Sequence, residues 1–310
     1  MNEQTPIRVS TIIPVYNGEY TIARAIDSAL AQDFAGQEII VVNDGSTDNT
    51  KGVLERYGDK IRIIHQSNRG TSLARNSGIA CARGEYIAFL DADDYWLQGH
   101  ISSCVAELDS DSSSVLCYSG FIPIENGVAL PPRVLIKPPG LKELLDGEYS
   151  ILPSTTVVRK SAALDCGGFS EKLNYCSCED IYFCMLLAER GRFCTTAKPL
   201  VAYSSHSFLE IGMKYSRGFH NFERLVTERY GAAATAAVTG KRHGFVDSIV
   251  KYVIDRIEAG DSKNALRGIW RLLRFAPVCF IRQVGLRKLI RLRNLKRART
   301  VVYRLVRLPH

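Results

Sequence analysis

Two hydrophobic rhythms alternate along the first part of the chain. Val9–Pro14 (VSTIIP) is a short β-branched run, and Glu38–Asn43 (EIIVVN), Ile61–His65 and Tyr86–Leu90 (YIAFL) repeat the pattern. Each predicts a strand. Between the first two, Glu19–Ala31 carries apolar residues at Ile22, Ala25, Ile26, Ala29 and Leu30, which is helical spacing. Asp44-Gly45-Ser46-Thr47-Asp48 predicts a turn and cap for a helix running to about Tyr57, and a further helix is expected over about Gly70–Ala82. Strands apolar on both faces and separated by helices imply an α/β fold with a mostly parallel central sheet flanked by helices. Ligands in such sheets bind beyond the carboxyl ends of the strands. Asn17, Asp44 and Asp91 all lie just after strands, which gathers them at one edge.

The second half is less regular. Val115–Tyr118 and Thr155–Val158 read as strands, and the Pro- and Gly-rich stretch Pro123–Pro139 between them reads as an excursion. Glu179–Arg190 (EDIYFCMLLAER) predicts a helix with acids in its first turn and Arg in its last. Ala202–Gly218 reads as loop, and helical patterns resume at about Phe219–Tyr230 and Gly244–Ala259.

Composition excludes wholesale disorder: 46% of the 310 residues are hydrophobic and 23% charged. No run reaches the roughly 18 apolar residues of a membrane span. The polar Met1–Arg8 stretch is not a signal-peptide pattern. Nine cysteines, with no Cys-x-x-Cys among them, read as free thiols in a reducing cytoplasm. The net charge of +8 is uneven. Fourteen of the 40 Lys and Arg lie in residues 262–310, which hold no Asp or Glu, so the remainder carries 26 bases against 32 acids. In that tail, Trp270, Leu273, Phe275, Phe280, Val284, Leu289, Ile290 and Leu295 alternate with Arg, and Pro277 divides the stretch into two helices. A basic amphipathic tail suits an anionic membrane surface. Packing of the tail on the body is the alternative, and with no recognised nucleic-acid module, no nucleic-acid partner is expected.

The candidate chemistry is acidic. Asp91-Ala92-Asp93-Asp94 follows YIAFL directly, and carboxylates at i and i+2 can share a divalent cation. Alone, Asp-x-Asp also reads as a solvated turn; its place after a buried strand favours a site. Glu179-Asp180 alone reads as a pair of helix-start acids.

Together, VSTIIPVYNGEYTIARAIDSALAQ, EIIVVNDGSTDNT, NRGTSLARNSGIACARGEYIAFLDADDYW and Glu179-Asp180 resemble family 2 glycosyltransferases, in order and spacing, over about residues 8–205. The resemblance implies a GT-A fold, Rossmann-like with a C-terminal helical extension. It also implies inverting, nucleotide-sugar-dependent transfer, in surface polysaccharide synthesis. Residues 1–218 would be the catalytic domain, with a donor half over about 1–110 and an acceptor half over 111–218. A helical segment over 219–261 and the basic tail over 262–310 would follow. Pro14, Tyr16 and Glu19 match the loop that lines base and ribose, and Tyr16 offers a flat face for stacking. Asp44 matches the acceptor of a base N–H, which suits uracil and hence a UDP-sugar donor. Arg75 and Asn76 match an ARN element near the diphosphate. Asp91 and Asp93 match the Asp-x-Asp pair, Asp91 on the nucleotide and Asp93 as ligand of Mg²⁺ or Mn²⁺. Asp180 matches the catalytic base, with Glu179, Gly168 and Phe169 on the acceptor side. His206, in YSSHS, is a candidate metal ligand, although Ser204 stands where relatives often have Arg. The implied acceptor is a saccharide, on a lipid carrier if the tail docks the enzyme on the inner membrane face. A non-catalytic binder of sugar nucleotides or polysaccharide with the same fold is the alternative.

Overall fold

A computed structural model describes residues 6–125, 127–146, 151–174, 178–204 and 220–234. The alternation expected near the start is present. β1 (Val9–Val15) leads to α1 (Ile22–Leu30), β2 (Gln37–Asp44) to α2 (Thr50–Glu55), β3 (Arg62–Gln66) to α3 (Thr71–Cys81), and β4 (Tyr86–Phe89) follows. The four strands lie in the order 3-2-1-4 and all pair in parallel. Their side chains alternate between two buried faces. Ile12, Ile40, Val42 and Phe89 enter a core on one side, while Val9, Ile13, Val41 and Ala88 enter a core on the other. Burial on both faces accounts for strands written as unbroken apolar runs.

The sheet then changes sense. After β5 (Tyr95–Trp96) comes α4 (His100–Ser110), then β6 (Ser114–Glu125), β7 (Val128–Ala129) and α5 (Leu141–Leu145). β8 (Thr156–Arg159), α6 (Lys160–Asp165), α7 (Glu179–Ala188) and β9 (Arg192–Ser204) follow. β8 inserts antiparallel between β4 and β6, and β9 runs parallel to β6 and antiparallel to β5. The parallel half thus joins a mixed half at β4, in one sheet with helices on both faces.

Three local readings need correction. Within the 44–48 segment, Asp44 still belongs to β2 and α2 begins only at Thr50, so the contact with the helix start falls to Asp48, which accepts from Thr50 N–H at 3.0 Å. Ala202–Ser204 belong to β9, not to a loop. The Pro123–Pro139 excursion begins inside β6, which forms a short hairpin with β7. Several elements were not expected, among them β5, β7, α5 and α6, and two further unexpected elements, α4 and β9, shape the core. α4 buries Ile101, Cys104, Val105 and Leu108 at helical spacing, and β9 extends the sheet beside β6. A helix over 220–230 packs Phe222, Leu225 and Val226 into the core against α7, with Phe222 edge-on to Tyr182 at 6.4 Å. His206, most of the 219–261 segment and the 262–310 tail lie outside the described residues.

Candidate active site

The carboxyl ends of β1, β2 and β4 release loops onto one edge. Tyr16 leaves β1 half exposed, one residue beyond the pair of buried Pro14 and Val15. Asn17 then turns with φ 52°, a left-handed conformation that Asn tolerates better than most residues. The turn is laced to the loop after β2. The Asn17 side-chain carbonyl accepts from Thr47 N–H at 2.8 Å, and Asn17 N–H donates to the Ser46 hydroxyl at 3.0 Å. Glu19 accepts from Asn49 N–H at 3.0 Å, so its carboxylate closes the start of α2. Asp44 is 3% exposed and accepts from Gln66 Nε2 and the backbone N–H groups of Arg69 and Gly70, at 2.7, 2.9 and 2.7 Å. A carboxylate offers about four acceptor positions, so one remains.

Arg75 projects from α3 and is 3% exposed. Its Nη2 donates to Asp91 Oδ1 at 2.6 Å, its Nη1 lies 3.9 Å from Glu179 Oε1, and its guanidinium sits over the Phe169 ring at 5.0 Å. Arg75 therefore joins the loop after β4 to the start of α7. Burial opposes its charge, but Asp91, Glu179 and Asp180 more than offset that cost and its pKa rises. Asn76, the next residue, holds Phe169 by a reciprocal pair: Asn76 Nδ2 donates to Phe169 O and Phe169 N–H to Asn76 Oδ1, both at 2.9 Å. Gly168 has φ 71°, and a Cβ there would fall 2.5 Å from Asn76 Oδ1. That backbone and that clearance both demand glycine.

Asp180 begins α7 beside Glu179. Its carboxyl borders an apolar pocket lined by Phe89, Leu116, Phe169 and Phe183. Loss of hydration, reinforced by the charge of Glu179 and opposed by Arg75, pushes its pKa up to about 7. A carboxyl so tuned can take up a proton near neutrality.

The Asp-x-Asp segment presents three carboxylates. Asp91 and Asp93 are half-buried, and Asp94 is 1% exposed. Burial, then the charges of Asp91 and Asp93, raise the Asp94 pKa well above the usual carboxylate range. Such a concentration of hard oxygens fits Mg²⁺ or Mn²⁺. No three His, Cys, Asp or Glu side chains form a ready metal cage among the described residues, so two carboxylates would share the ion with oxygens of a bound ligand. Beyond the expected residues, the segment relies on Ser154, Ser204 and Arg24. Helical periodicity marks Arg24 only as the polar face of α1, and nothing local marks the two serines.

Comparison with known proteins bears on the family and the fold. The model of "Glycosyl transferase family 2" matches residues 10–166, about half of the chain. An uncharacterised glycosyltransferase of Rickettsia typhi is 36% identical over 197 residues, 59% of this chain and 59% of its own length. EpsJ of Bacillus subtilis, also named an uncharacterised glycosyltransferase, is 51% identical over 90 residues, 28% of this chain and 26% of its own. The chain thus spans less than two thirds of the length of these curated relatives. Among solved structures, S. aureus TarS 1–349 in complex with UDP superposes with a TM-score of 0.56 at 26% identity, covering 69% of this chain and 66% of that one. The mannosyltransferase PcManGT of Pyrobaculum calidifontis, in complex with GDP-Man and Mn²⁺, superposes with a TM-score of 0.59 at 16% identity, covering 88% and 82%, and shows the same fold. With its parallel half carrying the Asp-x-Asp edge and its mixed half carrying Asp180, this chain has the GT-A architecture and belongs to glycosyl transferase family 2.

Proposed function

We propose that the chain is an inverting glycosyltransferase that moves a sugar from a nucleoside diphosphate to a hydroxyl of a saccharide acceptor. The observation that carries this reading is the Asp180 carboxyl, raised to about 7, which borders an apolar pocket near Arg75, the residue that also binds Asp91. Inversion needs one base on the acceptor side, unlike hydrolysis between two flanking carboxyls. Asp180 accepts the proton of the attacking hydroxyl as that oxygen bonds to the anomeric carbon. The bond from that carbon to the diphosphate breaks, and the nucleoside diphosphate departs with the electron pair. Glu179 and Arg75 set the charge around Asp180, and Phe169 and Phe183 exclude water from it. Asp93, with Asp91, would hold Mg²⁺ or Mn²⁺, which when bound stabilises charge on the departing diphosphate.

On the donor side, Tyr16 offers an exposed ring to the base, and the remaining acceptor position of Asp44 suits a ring N–H such as that of uracil. TarS, 26% identical, was solved with UDP, which favours a UDP-sugar. Asp180→Asn should abolish transfer yet leave UDP binding with Mn²⁺ near wild type, read by thermal shift. Full transfer by this variant would remove Asp180 as the base. The acceptor is proposed to be a lipid-linked saccharide of surface polysaccharide, with the 262–310 tail on the inner face of an anionic membrane. No described helix is long and apolar enough to cross a membrane. Salt-sensitive co-sedimentation with anionic vesicles, lost on deleting 277–310, checks the docking; unchanged, salt-insensitive binding refutes it.

A further inference from the structure

Asp94 is a buried carboxyl that the proposed chemistry does not use. It follows Asp91 and Asp93 in the same short segment and is 1% exposed. Its partners are specific. Ser154 Oγ donates to Asp94 Oδ2 at 2.5 Å, and Ser204 N–H donates to Asp94 Oδ1 at 2.8 Å. The same Ser154 oxygen accepts from Asp91 N–H at 3.0 Å. Ser154 is 0% exposed and lies in a one-turn helix over Pro153–Thr155, just before β8. Its own carbonyl is fixed by Trp96 Nε1 at 2.8 Å. One hydroxyl thus connects both ends of the Asp91–Asp94 segment to the mixed half of the sheet.

The far end of the segment is fixed separately. The Asp93 carbonyl accepts from Arg24 Nη2 at 2.8 Å and also from the Ser204 hydroxyl. The Arg24 guanidinium lies over Tyr95, 4.6 Å from the ring centre. The contacts from Ser154 and Ser204 reach this segment through its backbone and through the Asp94 carboxylate, while the Asp91 carboxylate is held from the other side by Arg75. Ser204 is also the last residue of β9, so the donor loop and the chain leaving β9 share one anchor.

We propose that Asp94 and Ser154 are positioning residues that aim the Asp91 and Asp93 carboxylates at the donor diphosphate and its cation, and register the loop with the end of β9. The proposal rests on the donor-side reading given above. Neither residue touches donor or acceptor; each acts through the backbone of Asp91–Asp94.

The test compares wild type with Ser154→Ala, Ser154→Thr and Asp94→Asn. Calorimetry measures binding of UDP in the presence of Mn²⁺, and electron paramagnetic resonance measures Mn²⁺ binding in the presence of UDP. Ser154→Ala, which leaves the Asp94 carboxylate and the Asp91 N–H without their Ser154 partner, should weaken both by about tenfold. Ser154→Thr, which keeps the hydroxyl, should restore most of that loss, and Asp94→Asn should match Ser154→Ala. With a UDP-sugar, kcat/KM should fall in Ser154→Ala and recover in Ser154→Thr. A fall in melting temperature without a change in either affinity would assign the pair a structural role only and overturn the proposal. Because Ser154→Ala removes a single oxygen, it remains decisive if Asp94→Asn fails to fold. A wild type that binds neither UDP nor GDP with Mn²⁺ would refute the donor reading itself, whereas normal wild-type binding with unchanged variants would refute the positioning pair alone.

Discussion

Replacing Gly168 by alanine tests how Asn76 and Phe169 are held together. At φ 71° an alanine sits in the left-handed region, at a cost of about 1–2 kcal/mol. The new Cβ would lie 2.5 Å from Asn76 Oδ1 and 3.2 Å from its Cγ, closer than carbon and oxygen tolerate. Asn76 must swing away, losing both 2.9 Å bonds to Phe169, each contributing about 0.5–1.5 kcal/mol. The stiffer unfolded chain returns about 0.4–1 kcal/mol. Gly168→Ala should therefore destabilise by about 3 kcal/mol by these terms together. Gly167 is the internal control. Its φ of 84° is also left-handed, but nothing lies within 4 Å of its would-be Cβ, so only the backbone cost applies. Gly167→Ala should cost about 1 kcal/mol. Urea unfolding of the two variants at neutral pH measures both, provided the m-values agree. If the two lie within about 0.5 kcal/mol of each other, the clash with Asn76 is not what fixes Gly168, and the reasoning fails.

Proton uptake by Asp180 has two measurable consequences. With its pKa at about 7, log kcat/KM should climb with unit slope below that pH and level off above it; a flat profile across neutrality would refute the assignment. A carboxyl whose folded pKa is raised contributes stability below its unfolded pKa of about 3.9, and that contribution is lost as pH rises through about 7. Asp180→Asn should consequently melt higher than wild type in mild alkali, read by calorimetry, and a lower melting temperature there would contradict the burial argument. Glu189 behaves oppositely. Arg229 holds it by two hydrogen bonds of 2.7 and 2.6 Å and, against the effect of burial, lowers its pKa to about 2. The pair's contribution is present above the unfolded pKa of about 4.3 and is lost as pH falls toward about 2. Arg229 is 40% exposed, so Glu189→Gln should loosen the 220–230 helix by only about 1 kcal/mol, seen as faster amide exchange there and not in β1.

Much of the parallel half was legible because its physics is local. β1, β2 and β4 are buried on both faces, and their adjacent apolar residues, Ile12-Ile13, Ile39–Val42 and Ile87–Phe89, record that directly in sequence. β9 was not legible. It carries Lys198 and Pro199 and is only partly buried, so neither alternation nor a continuous apolar run marks it as a strand. α4 had the right spacing, but Cys104 and three serines diluted it. The site divided similarly. Strand-end acids announced the edge, since Asp91 and Asp93 follow a core strand. Their supports did not announce themselves, because Ser154 and Ser204 lie 63 residues from Asp91 and 110 from Asp94 along the chain. Glu19 and Asp44 show a further reason. Their motif positions were clear, yet each also braces neighbouring loops, a structural duty that only backbone geometry reveals.

The Arg75 bridge bears on how such enzymes can be rebuilt from parts. A parallel half grafted onto a foreign mixed half would bring Arg75 and Asp91 from one parent and Phe169 and Glu179 from the other. The guanidinium would then face whatever ring and carboxylate the second parent happened to supply, with no water to stand in at 3% exposure. Domain-swapped hybrids should accordingly succeed or fail on this one junction. The four residues form the smallest unit to transplant together, and a library shuffled at β4 should recover active members chiefly where the quartet is kept from one parent.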